Sequence, residues 1–585
     1  MLDRLLGLET EYAIRWTLDA PPDVAGDASA TRPAHDFVHL AITTAIAKRQ
    51  AARSGARETL HKQLFLQNGG AIYYEFLPHA PSDGLIEAST PECRGPSELL
   101  LYQKAQERLL LEVLPEANAW LRAQGHAGEL GLLKNCRDAE GHVYGAQENY
   151  EVELARGVSL WCYRIGLALL LPGIVASSLL VLVVSFAWII VLVVAFFVAL
   201  PGLYLLSVVR PQRMAALDEW LVERDRFLRP GMRTLNAIGA IGTAPGVLAY
   251  ALLYRTFCCR RIRRDALGFL LSRPILSGAG SLDPSTSEPS SRRSAPEFGL
   301  SQKGPVMRRL VRMTSMPVDR SVFDIGHLVK PLFSMTGFEL RPLARLFRRR
   351  QRLQLGLSDS NLAQTAEYLK IATTNLVFDM AEAGALRQLP RVRRPIAALH
   401  RLIADPDLRA RVRCSDGIER SAIELQRMYL ERAQAYVASS PAISLEARQI
   451  VRLWEETLDA LERDPASLFG RLDWVTKRSL LANLRADGGD ELDRDALRKI
   501  DLKYHELGVG YFAQLEREGL APTLVEPEEV QRALTTPPQD SPARRRSQLV
   551  SALAAEGVRA LVSWDQVEIR KAGEPRQVIR LDDYR

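Results

Sequence analysis

One stretch of the sequence limits the possible folds more than any other feature. No Asp, Glu, Lys or Arg occurs between Arg164 and Arg210, and most of the residues between them are apolar. A membrane-spanning helix needs about 20 apolar residues, so residues 165–209 can hold one long span or two short ones. A buried helix of a soluble protein fits a run of this length poorly. The sequence therefore predicts a membrane segment inside a chain whose other regions have a soluble pattern.

The number of membrane crossings depends on a second, weaker uncharged stretch at residues 234–254. If both flanking regions are cytosolic, the number of crossings must be even. Either residues 165–209 form a hairpin that turns near Ser185, or they cross once and residues 234–254 return. The hairpin lacks turn residues, whereas two separate crossings export the six arginines of residues 210–233 against the positive-inside bias. Length favours two separate crossings, with a re-entrant or buried second segment as the other possibility.

The regions on either side have the composition of folded cytosolic protein. Hydrophobic residues make up 47% of the chain and charged residues 25%. The net charge of +7 comes partly from arginine runs at 260–264 and 348–352, which beside apolar segments mark a cytoplasmic membrane flank more often than a nucleic-acid site. The sequence has no recognisable nucleic-acid-binding motif, no CxxC pair among its six cysteines and no signal-peptide pattern at its start. We therefore expect neither a nucleic-acid partner nor a zinc or disulfide framework.

Acidic residues recur two positions apart in the predicted strands. Glu9 and Glu11 have this spacing, and so do Tyr73 and Glu75, which follow a turn-forming Asn-Gly. Residues i and i+2 of a strand share one face, so each pair projects together. Neighbouring carboxylates favour a cation between them, and Mg²⁺ takes oxygen ligands. On spacing alone, these strands either gather a metal or present solvated glutamates.

Several short motifs occur in the order found in the proteasome accessory factor family of Pup ligases and Pup deamidase/depupylases. The chain resembles this family over residues 1–157 and 266–570, and its opening Glu-Thr-Glu is more like the ligase branch. The motifs are Gly-Leu-Glu-Thr-Glu-Tyr at 7–12, Ser-Thr-Pro-Glu-Cys at 89–93, Tyr-Gly-Ala-Gln-Glu-Asn-Tyr at 144–150, Gly-Leu-Ser-Asp-Ser-Asn at 356–361, Leu-Lys at 369–370, Asp-Trp-Val at 473–475, Asp-Leu-Lys-Tyr-His at 501–505 and Pro-Pro-Gln at 537–539.

The resemblance implies an α+β, glutamine-synthetase-like fold, in which a curved antiparallel sheet packs on helices and a small C-terminal domain follows. The catalytic domain would comprise residues 1–157 and 266–490, with a Ser- and Pro-rich linker at 281–294. Residues 491–585 would form the C-terminal domain. Residues 158–265 would be an insertion that carries the transmembrane helices.

The resemblance also implies an ATP- and Mg²⁺-dependent ligase. Such an enzyme phosphorylates the C-terminal glutamate of Pup, a small protein modifier, and a substrate lysine then displaces the phosphate to form an isopeptide bond. Glu75 would be the base that activates the lysine, and Arg320, Ser358 and Asn361 would lie near the nucleotide or the modifier's glutamate. The implied metal or nucleotide ligands are Glu9, Glu11, Tyr73, Glu87 and Glu148.

The sequence departs from the family pattern at several positions. Glu75 replaces an Asp, Gln147 stands where the family usually has His, and the loop at 78–85 is lengthened. The family's Asn-Thr-Arg-Asp-Glu-Pro-His element is not recognisable after Arg320, where Asp324 and His327 are candidates to replace it.

Three functions fit these observations. The first is a ligase at the inner face of the membrane, with its catalytic domain in the cytoplasm and membrane proteins among its substrates. The second is a depupylase or deamidase that hydrolyses the same bond. The third is a catalytically degenerate, membrane-bound binding protein.

Overall fold

The fold is taken from a computed structural model of the 585-residue chain. The structure describes every residue except those at 20–31, 56–62, 78–79, 139–140, 210–227, 283–297, 313–319, 325–339, 440–443, 489–493, 572–573 and 582–585. Most of the predicted linker and His327 lie outside the described residues.

An 11-stranded sheet is the centre of the fold. Its strands are β1 (Leu5–Leu18), β2 (Ala52–Ser54), β3 (Gln63–Leu66), β4 (Ala71–Leu77), β5 (Ala80–Ser89), β6 (Cys93–Arg94), β7 (Gly128–Leu133), β8 (Gln147–Glu153), β11 (Met307–Arg312), β12 (Arg320–Asp324) and β13 (Arg350–Leu355). They lie in the order β11-β12-β13-β8-β1-β5-β4-β3-β2, and β6 and β7 also pair with β1. The pairs are antiparallel except β11 with β12. The predicted antiparallel sheet is therefore confirmed, with one parallel pair at its edge.

Strand β1 shows why the sheet has two different faces. Leu6, Leu8 and Tyr12 are buried on one face, and Glu9 and Glu11 lie on the other. Because successive side chains alternate, a strand of this pattern can cover a core and still present carboxylates on its opposite side. Its first half pairs with β5 and β8, and its second half pairs with β7. The acidic face is therefore set by alternation along a single strand.

Long helices cover the apolar face of the sheet. Helix α9 (Gln364–Ala383) is buried along most of its length and contacts both α2 (Pro96–Ala123) and the sheet. Its Phe378 packs edge-on against Tyr150 of β8, with the ring centroids 5.1 Å apart. The helical periodicity predicted for residues 360–384 and 420–465 is confirmed by α9, α11 (Ala422–Ser439) and α12 (Leu445–Arg463). Outside the insertion and the C-terminal module, the described helices are α1 (His35–Arg49), α2 (Pro96–Ala123), α5 (Arg260–Asp265), α6 (Leu267–Ser272), α7 (Pro274–Ser277), α8 (Leu340–Arg345), α9 (Gln364–Ala383), α10 (Pro395–Ile403), α11 (Ala422–Ser439), α12 (Leu445–Arg463), α13 (Asp473–Gly488), α14 (Arg494–Tyr504), α15 (Tyr511–Arg517) and α16 (Pro527–Ala533).

The C-terminal region ends in a small module with its own core. Helix α17 (Pro542–Ala555) packs on a three-stranded sheet, and its Val550 and Leu553 are buried against strands β3 and β4 of the main sheet. The predicted β-like runs at the C-terminus are therefore confirmed. The remaining short strands are β9 (Ser281–Leu282), β10 (Phe298–Gly299), β14 (Arg411–Arg413), β15 (Glu419–Ser421), β16 (Arg559–Val562), β17 (Gln566–Arg570) and β18 (Gln577–Arg580).

The insertion forms two long helices, α3 (Gly157–Val209) and α4 (Leu228–Phe257). The structure therefore excludes a hairpin inside residues 165–209, because that stretch is one continuous helix. The two helices run antiparallel in close contact, since a side chain at Gly166 would collide with Leu253, and one at Gly242 with Val181. Small residues of this kind let helix backbones approach each other within membranes.

Two local expectations need correction. The lengthened loop expected at 78–85 is largely strand, because β5 begins at Ala80, which pairs with Leu77 of β4. The first two residues of the predicted linker also form a strand. Ser281 and Leu282 make up β9, which pairs with Phe298 and Gly299 of β10. In the first place the prediction came from the spacing of the family motifs, and in the second it came from Ser and Pro content; backbone pairing reaches into both segments.

Candidate active site

Four glutamates gather on the face of the sheet opposite the helices. Glu11 lies directly across from Glu87, which in turn lies across from Tyr73. Glu9 and Glu75 are each two residues away from a member of this row, so they share its face. Directly opposed residues of antiparallel strands have Cβ atoms about 4.5–5.5 Å apart. The register therefore brings together the four predicted carboxylates at positions 9, 11, 75 and 87.

The crowding of these carboxylates disfavours the charged form of Glu87. Burial raises the pKa of Glu87 well above its ordinary value, and the negative charges of Glu9, Glu75 and Glu11 raise it further. Glu11 is buried, with 7% of its surface exposed, while Glu87 is half-buried. A group of this kind gains stability from a bound cation or a proton.

The site has its own basic and amide groups on β13, which the sequence did not point out. Arg352 Nη2 donates to Glu9 Oε1 at 2.5 Å, and Gln354 Nε2 donates to Glu9 Oε2 at 3.0 Å. On the other side, the Gly145 N–H donates to Glu11 Oε2 at 2.8 Å. The signal available in the sequence was the alternation of Arg352 and Gln354 along β13. The pairing of β13 with β8 had to be known before that alternation could be placed beside Glu9.

Tyr73 connects the site to the C-terminal module. Its hydroxyl accepts a hydrogen bond from Trp564 Nε1 at 2.6 Å. Burial, followed by the charges of Glu87 and Glu9, raises the pKa of Tyr73, so the phenol stays protonated. Trp564 is itself held by the guanidinium of Arg546, which lies 4.4 Å from its ring centroid. Tyr73 therefore reaches the acidic face as a neutral hydrogen-bonding group held by Trp564.

Glu148 does not join this group, although the resemblance implied that it would. It lies opposite Leu8 in the register, on the helix-covered face of the sheet. Both of its oxygens accept from the Arg273 guanidinium at 2.8 Å, and Tyr150 also donates to it. Burial alone would raise the pKa of Glu148, but Arg273 holds it below its ordinary value. Its negative charge is therefore already neutralised inside the protein.

The predicted nucleotide neighbours occupy different positions. Ser358 and Asn361 are buried, and Asn361 donates to Asp473 Oδ2 at 2.9 Å and to the Ser277 carbonyl at 3.1 Å. Their loop packs in the interior, where these contacts support the fold. Arg320 lies near the site through its guanidinium, which donates to the Val143 carbonyl at 2.7 Å.

Asp324 adds a fifth carboxylate to the margin of the acidic face. It lies directly across from Gln354, which itself bonds Glu9. Of the two residues expected to replace the family's missing element, Asp324 is therefore on the correct face, and His327 lies outside the described residues.

The donor set suits a hard cation only when a ligand completes it. Among the residues that the structure describes, no three His, Cys, Asp or Glu side chains converge on one point as a metal site. Mg²⁺ is commonly held by one or two carboxylates together with substrate phosphates and water. Glu9, Glu11 and Glu87 offer only carboxylate oxygens, which fits that mode of binding. Both oxygens of Glu9 accept hydrogen bonds from Arg352 and Gln354 in the free protein, so the protein alone offers few free ligands and a nucleotide would have to supply the others.

The large sheet is thus covered by helices on one face and carries the carboxylates of Glu9, Glu11, Glu75 and Glu87 on the other. The model of the family described as Pup-ligase protein matches residues 4–568. This chain belongs to that family.

Relatives and solved structures agree with this assignment. The chain is 25% identical to the Pup–protein ligase of Mycolicibacterium smegmatis, covering 100% of this chain and 97% of the relative. It is 25% identical to the Pup–protein ligase of Acidimicrobium ferrooxidans, covering 89% and 86%. The ligase PafA in complex with the prokaryotic ubiquitin-like protein Pup has a TM-score of 0.66 at 18% identity over 100% of this chain and 90% of that one. PafA in complex with ADP has a TM-score of 0.59 at 18% identity over 97% and 93%.

Proposed function

We propose that this protein is an ATP-dependent ligase that joins the C-terminal glutamate of a Pup-like modifier to lysines of other proteins, through a γ-glutamyl phosphate. The observation that carries the proposal is the group of Glu9, Glu11, Glu75 and Glu87 with Arg352 on one face of the sheet, in a chain of the Pup-ligase family. Relatives that carry the name Pup–protein ligase, and neighbouring structures with Pup and with ADP, support the same assignment.

The charges of the site match the needs of phosphoryl transfer. Mg²⁺ bound with ATP at Glu9, Glu11 and Glu87 would neutralise charge on the phosphates. Arg352 presents a planar guanidinium on the same face, where it can exchange its bond to Glu9 for one to a phosphoryl oxygen. Tyr73, held neutral and fixed by Trp564, can donate a hydrogen bond without adding charge.

Glu75 is the group proposed to accept the proton of the incoming lysine. It follows Tyr73 by two residues, so it projects from the same face near one end of the row. A lysine must lose a proton before it can attack, and a positioned carboxylate can take that proton. Because Glu is one methylene longer than Asp, the strand is expected to place its backbone farther from the amine than in relatives with Asp.

Helices α3 and α4 are proposed to hold the enzyme in the inner membrane by two crossings, with the catalytic domain in the cytoplasm. Both are long and apolar enough to span a bilayer, over Gly157–Val194 and Ala237–Phe257. Large apolar side chains of α3 are exposed, among them Val183 at 63% and Phe186 at 63%. A water-facing surface of this extent is costly for a soluble protein, and lipid would cover it. The cytoplasmic side supplies the ATP that the reaction consumes.

A membrane position would also select substrates. Anchoring raises the effective concentration of the enzyme toward proteins in the same membrane. We therefore expect lysines of membrane proteins among the modified sites. Removing residues 158–265 would leave the set of modified proteins unchanged in cells if the helices played no part in selection.

The first test is a conjugation assay on the full chain in detergent. The protein is mixed with Mg²⁺-ATP, a Pup-like modifier ending in Glu and a lysine-bearing acceptor, and products are separated by gel shift. The Glu9→Ala variant is compared with Glu129→Ala, which removes an exposed glutamate from β7. An ATP-dependent conjugate that is lost only in Glu9→Ala supports the ligase.

A premade conjugate is incubated in parallel. Cleavage without any ATP-dependent conjugation would assign the site to hydrolysis of the same bond. Neither reaction, in a protein that still binds the modifier, would indicate a binding protein without catalysis.

A further inference from the structure

The helical pair is attached rigidly to the catalytic domain and does not hang from a flexible tether. Ser159 Oγ at the start of α3 donates to the Phe257 carbonyl at the end of α4 at 3.0 Å. The Cys259 N–H donates to the Leu154 carbonyl at 2.7 Å, which joins the end of α4 to the end of β8. Arg164 Nε donates to the Phe347 carbonyl at 2.9 Å, which joins α3 to the segment before β13. These contacts fix which surface of the catalytic domain lies beside the helices.

That surface carries six exposed arginines, which we name the basic collar. The collar consists of Arg156, Arg255, Arg260, Arg348, Arg349 and Arg350. They come from three separate parts of the chain, namely the start of α3, the end of α4 and the start of β13. The fold brings these parts together, because the Leu154 N–H donates to the Arg349 carbonyl at 2.8 Å and the Leu154 carbonyl accepts from Cys259.

The acidic residues beside the collar do not balance it. Glu153 is shared between Arg156 and Arg349, and Glu151 lies 3.6 Å from Arg350. In the described part of the chain, Arg255, Arg260 and Arg348 form no ion pair. The collar therefore carries a clear excess of positive charge, and most of it faces outward.

The collar adjoins the apolar surface of the helices. Val158 of α3 is 79% exposed and Trp161 is 62% exposed, within a few residues of Arg156. The Trp161 ring lies 5.5 Å from the Arg164 guanidinium. Tryptophan with arginine at the end of an apolar helix is typical of the interface between hydrocarbon and headgroups. This places the collar at the level of lipid phosphates.

We propose that the basic collar binds the headgroups of anionic phospholipids, and this inference rests on the proposed membrane position of α3 and α4. Guanidinium groups bind phosphate oxygens through paired hydrogen bonds. Cytoplasmic leaflets hold anionic lipids, and arginines beside a membrane helix are attracted to them. The collar holds the catalytic domain against the bilayer with its orientation set by the rigid base of the helices.

The test measures which lipids the full-length protein retains. The protein is incubated in mild detergent with equal amounts of phosphatidylcholine and phosphatidylglycerol, purified, and its bound lipids are counted by native mass spectrometry. The variant Arg348→Gln/Arg349→Gln/Arg350→Gln removes half of the collar. The control Arg411→Gln/Arg452→Gln/Arg532→Gln removes three arginines that are also exposed and do not belong to the collar. Thermal unfolding of both variants checks that the fold is retained.

Wild type is expected to retain more phosphatidylglycerol than phosphatidylcholine. In the collar variant the ratio of bound phosphatidylglycerol to bound phosphatidylcholine should fall by a factor of roughly five for each arginine removed. Equal retention of the two lipids by wild type, or equal enrichment by wild type and the collar variant, would overturn the inference. A parallel extraction of native membranes at alkaline pH separates this result from the membrane proposal. Release of the wild-type protein there would overturn the membrane position, and the lipid inference with it. Retention in the pellet without lipid preference would overturn the lipid inference alone.

Discussion

Two carboxylate clusters lie on opposite sides of the same sheet, and they differ in how far cations of the protein balance their charge. On the helix side, Lys134 Nζ lies 2.6 Å from Glu107 Oε1 and 3.0 Å from Glu367, with Lys104 also 3.0 Å from Glu107. Burial alone would raise the pKa of Glu107, but Lys104 and Lys134 lower it to about 2. On the other side, the pKa of Glu87 is raised by burial and by neighbouring glutamates.

The difference separates a structural ion cluster from a ligand site. A buried cluster that holds its own cations is complete in the free protein. A cluster of like charges with few cations is complete only when a ligand arrives. Glu148, paired with Arg273, belongs to the first kind although its motif resembles that of a metal ligand. The predictions below test this contrast.

The largest effect is expected when the structural cluster loses a cation. Lys134→Met removes the nearer of the two cations that Glu107 and Glu367 share and leaves Lys104 as the other. Removing one partner of a buried ion pair costs about 3–5 kcal/mol of unfolding free energy. Urea unfolding followed by circular dichroism measures the change. The control Lys48→Met, at the exposed end of α1, should change stability by less than about 0.5 kcal/mol. Equal effects of the two changes would show that the cluster does not stabilise the fold.

On the ligand side, substitutions should affect activity more than stability. Glu75→Gln removes the proposed base and should lower the conjugation rate by roughly 10²-fold or more. Glu75→Asp keeps the carboxylate and should retain most of the rate or increase it. Single-turnover assays with saturating ATP compare the two, and unfolding midpoints should stay near wild type. Equal rates for Gln and Asp would exclude proton transfer by this residue.

Arg352 is expected to give an intermediate effect. Arg352→Lys keeps the positive charge but loses the planar guanidinium that bonds Glu9, so the rate should fall by roughly 10-fold. Arg411→Lys, at an exposed arginine outside the acidic face, is the control. It separates the loss of the guanidinium geometry at Glu9 from any general effect of replacing a surface arginine by lysine. Conjugation kinetics and nucleotide affinity are measured together. A change in neither quantity would place Arg352 outside the site.

The smallest effect concerns the pH dependence of stability. The pKa of Glu87 is higher in the folded state than in the unfolded chain. The contribution of Glu87 to the free energy of unfolding is therefore fully present below the ordinary Glu pKa of about 4.3, and it is lost as pH rises through the pKa of the folded state. Glu87→Gln should therefore raise the melting temperature by up to about 2 °C at neutral pH and have little effect in acid. Glu107→Gln breaks the buried ion pairs with Lys104 and Lys134, so its effect should have the opposite sign and be larger. It should lower the melting temperature above the ordinary pKa of Glu, and this loss should fade as pH falls toward about 2. Melting curves of both variants across this range check the signs.

Much of the fold could be predicted from local patterns. Alternation in β1 predicted a two-faced strand with Glu9 and Glu11 on one side, and the family motifs predicted the sheet that carries it. The uncharged run predicted one long span or two short ones, and the structure shows one continuous helix from Gly157 to Val209. The membrane position and the domain boundaries remain predictions. The site was less predictable: the structure brings four of the predicted glutamates and Tyr73 to one face but places Ser358 and Asn361 inside the core.

By itself, the sequence determined which side chains alternate, which segments are too apolar for water, and which family the motifs resemble. Only the tertiary structure decided that Glu148 faces Arg273, that Arg352 meets Glu9, and that the arginines at the ends of α3 and α4 join those of β13. Each of these contacts connects residues more than 90 positions apart in the sequence. Side-chain spacing along a strand fixes a face, but the choice between a metal ligand and an internal ion pair depends on what the opposing layer places there.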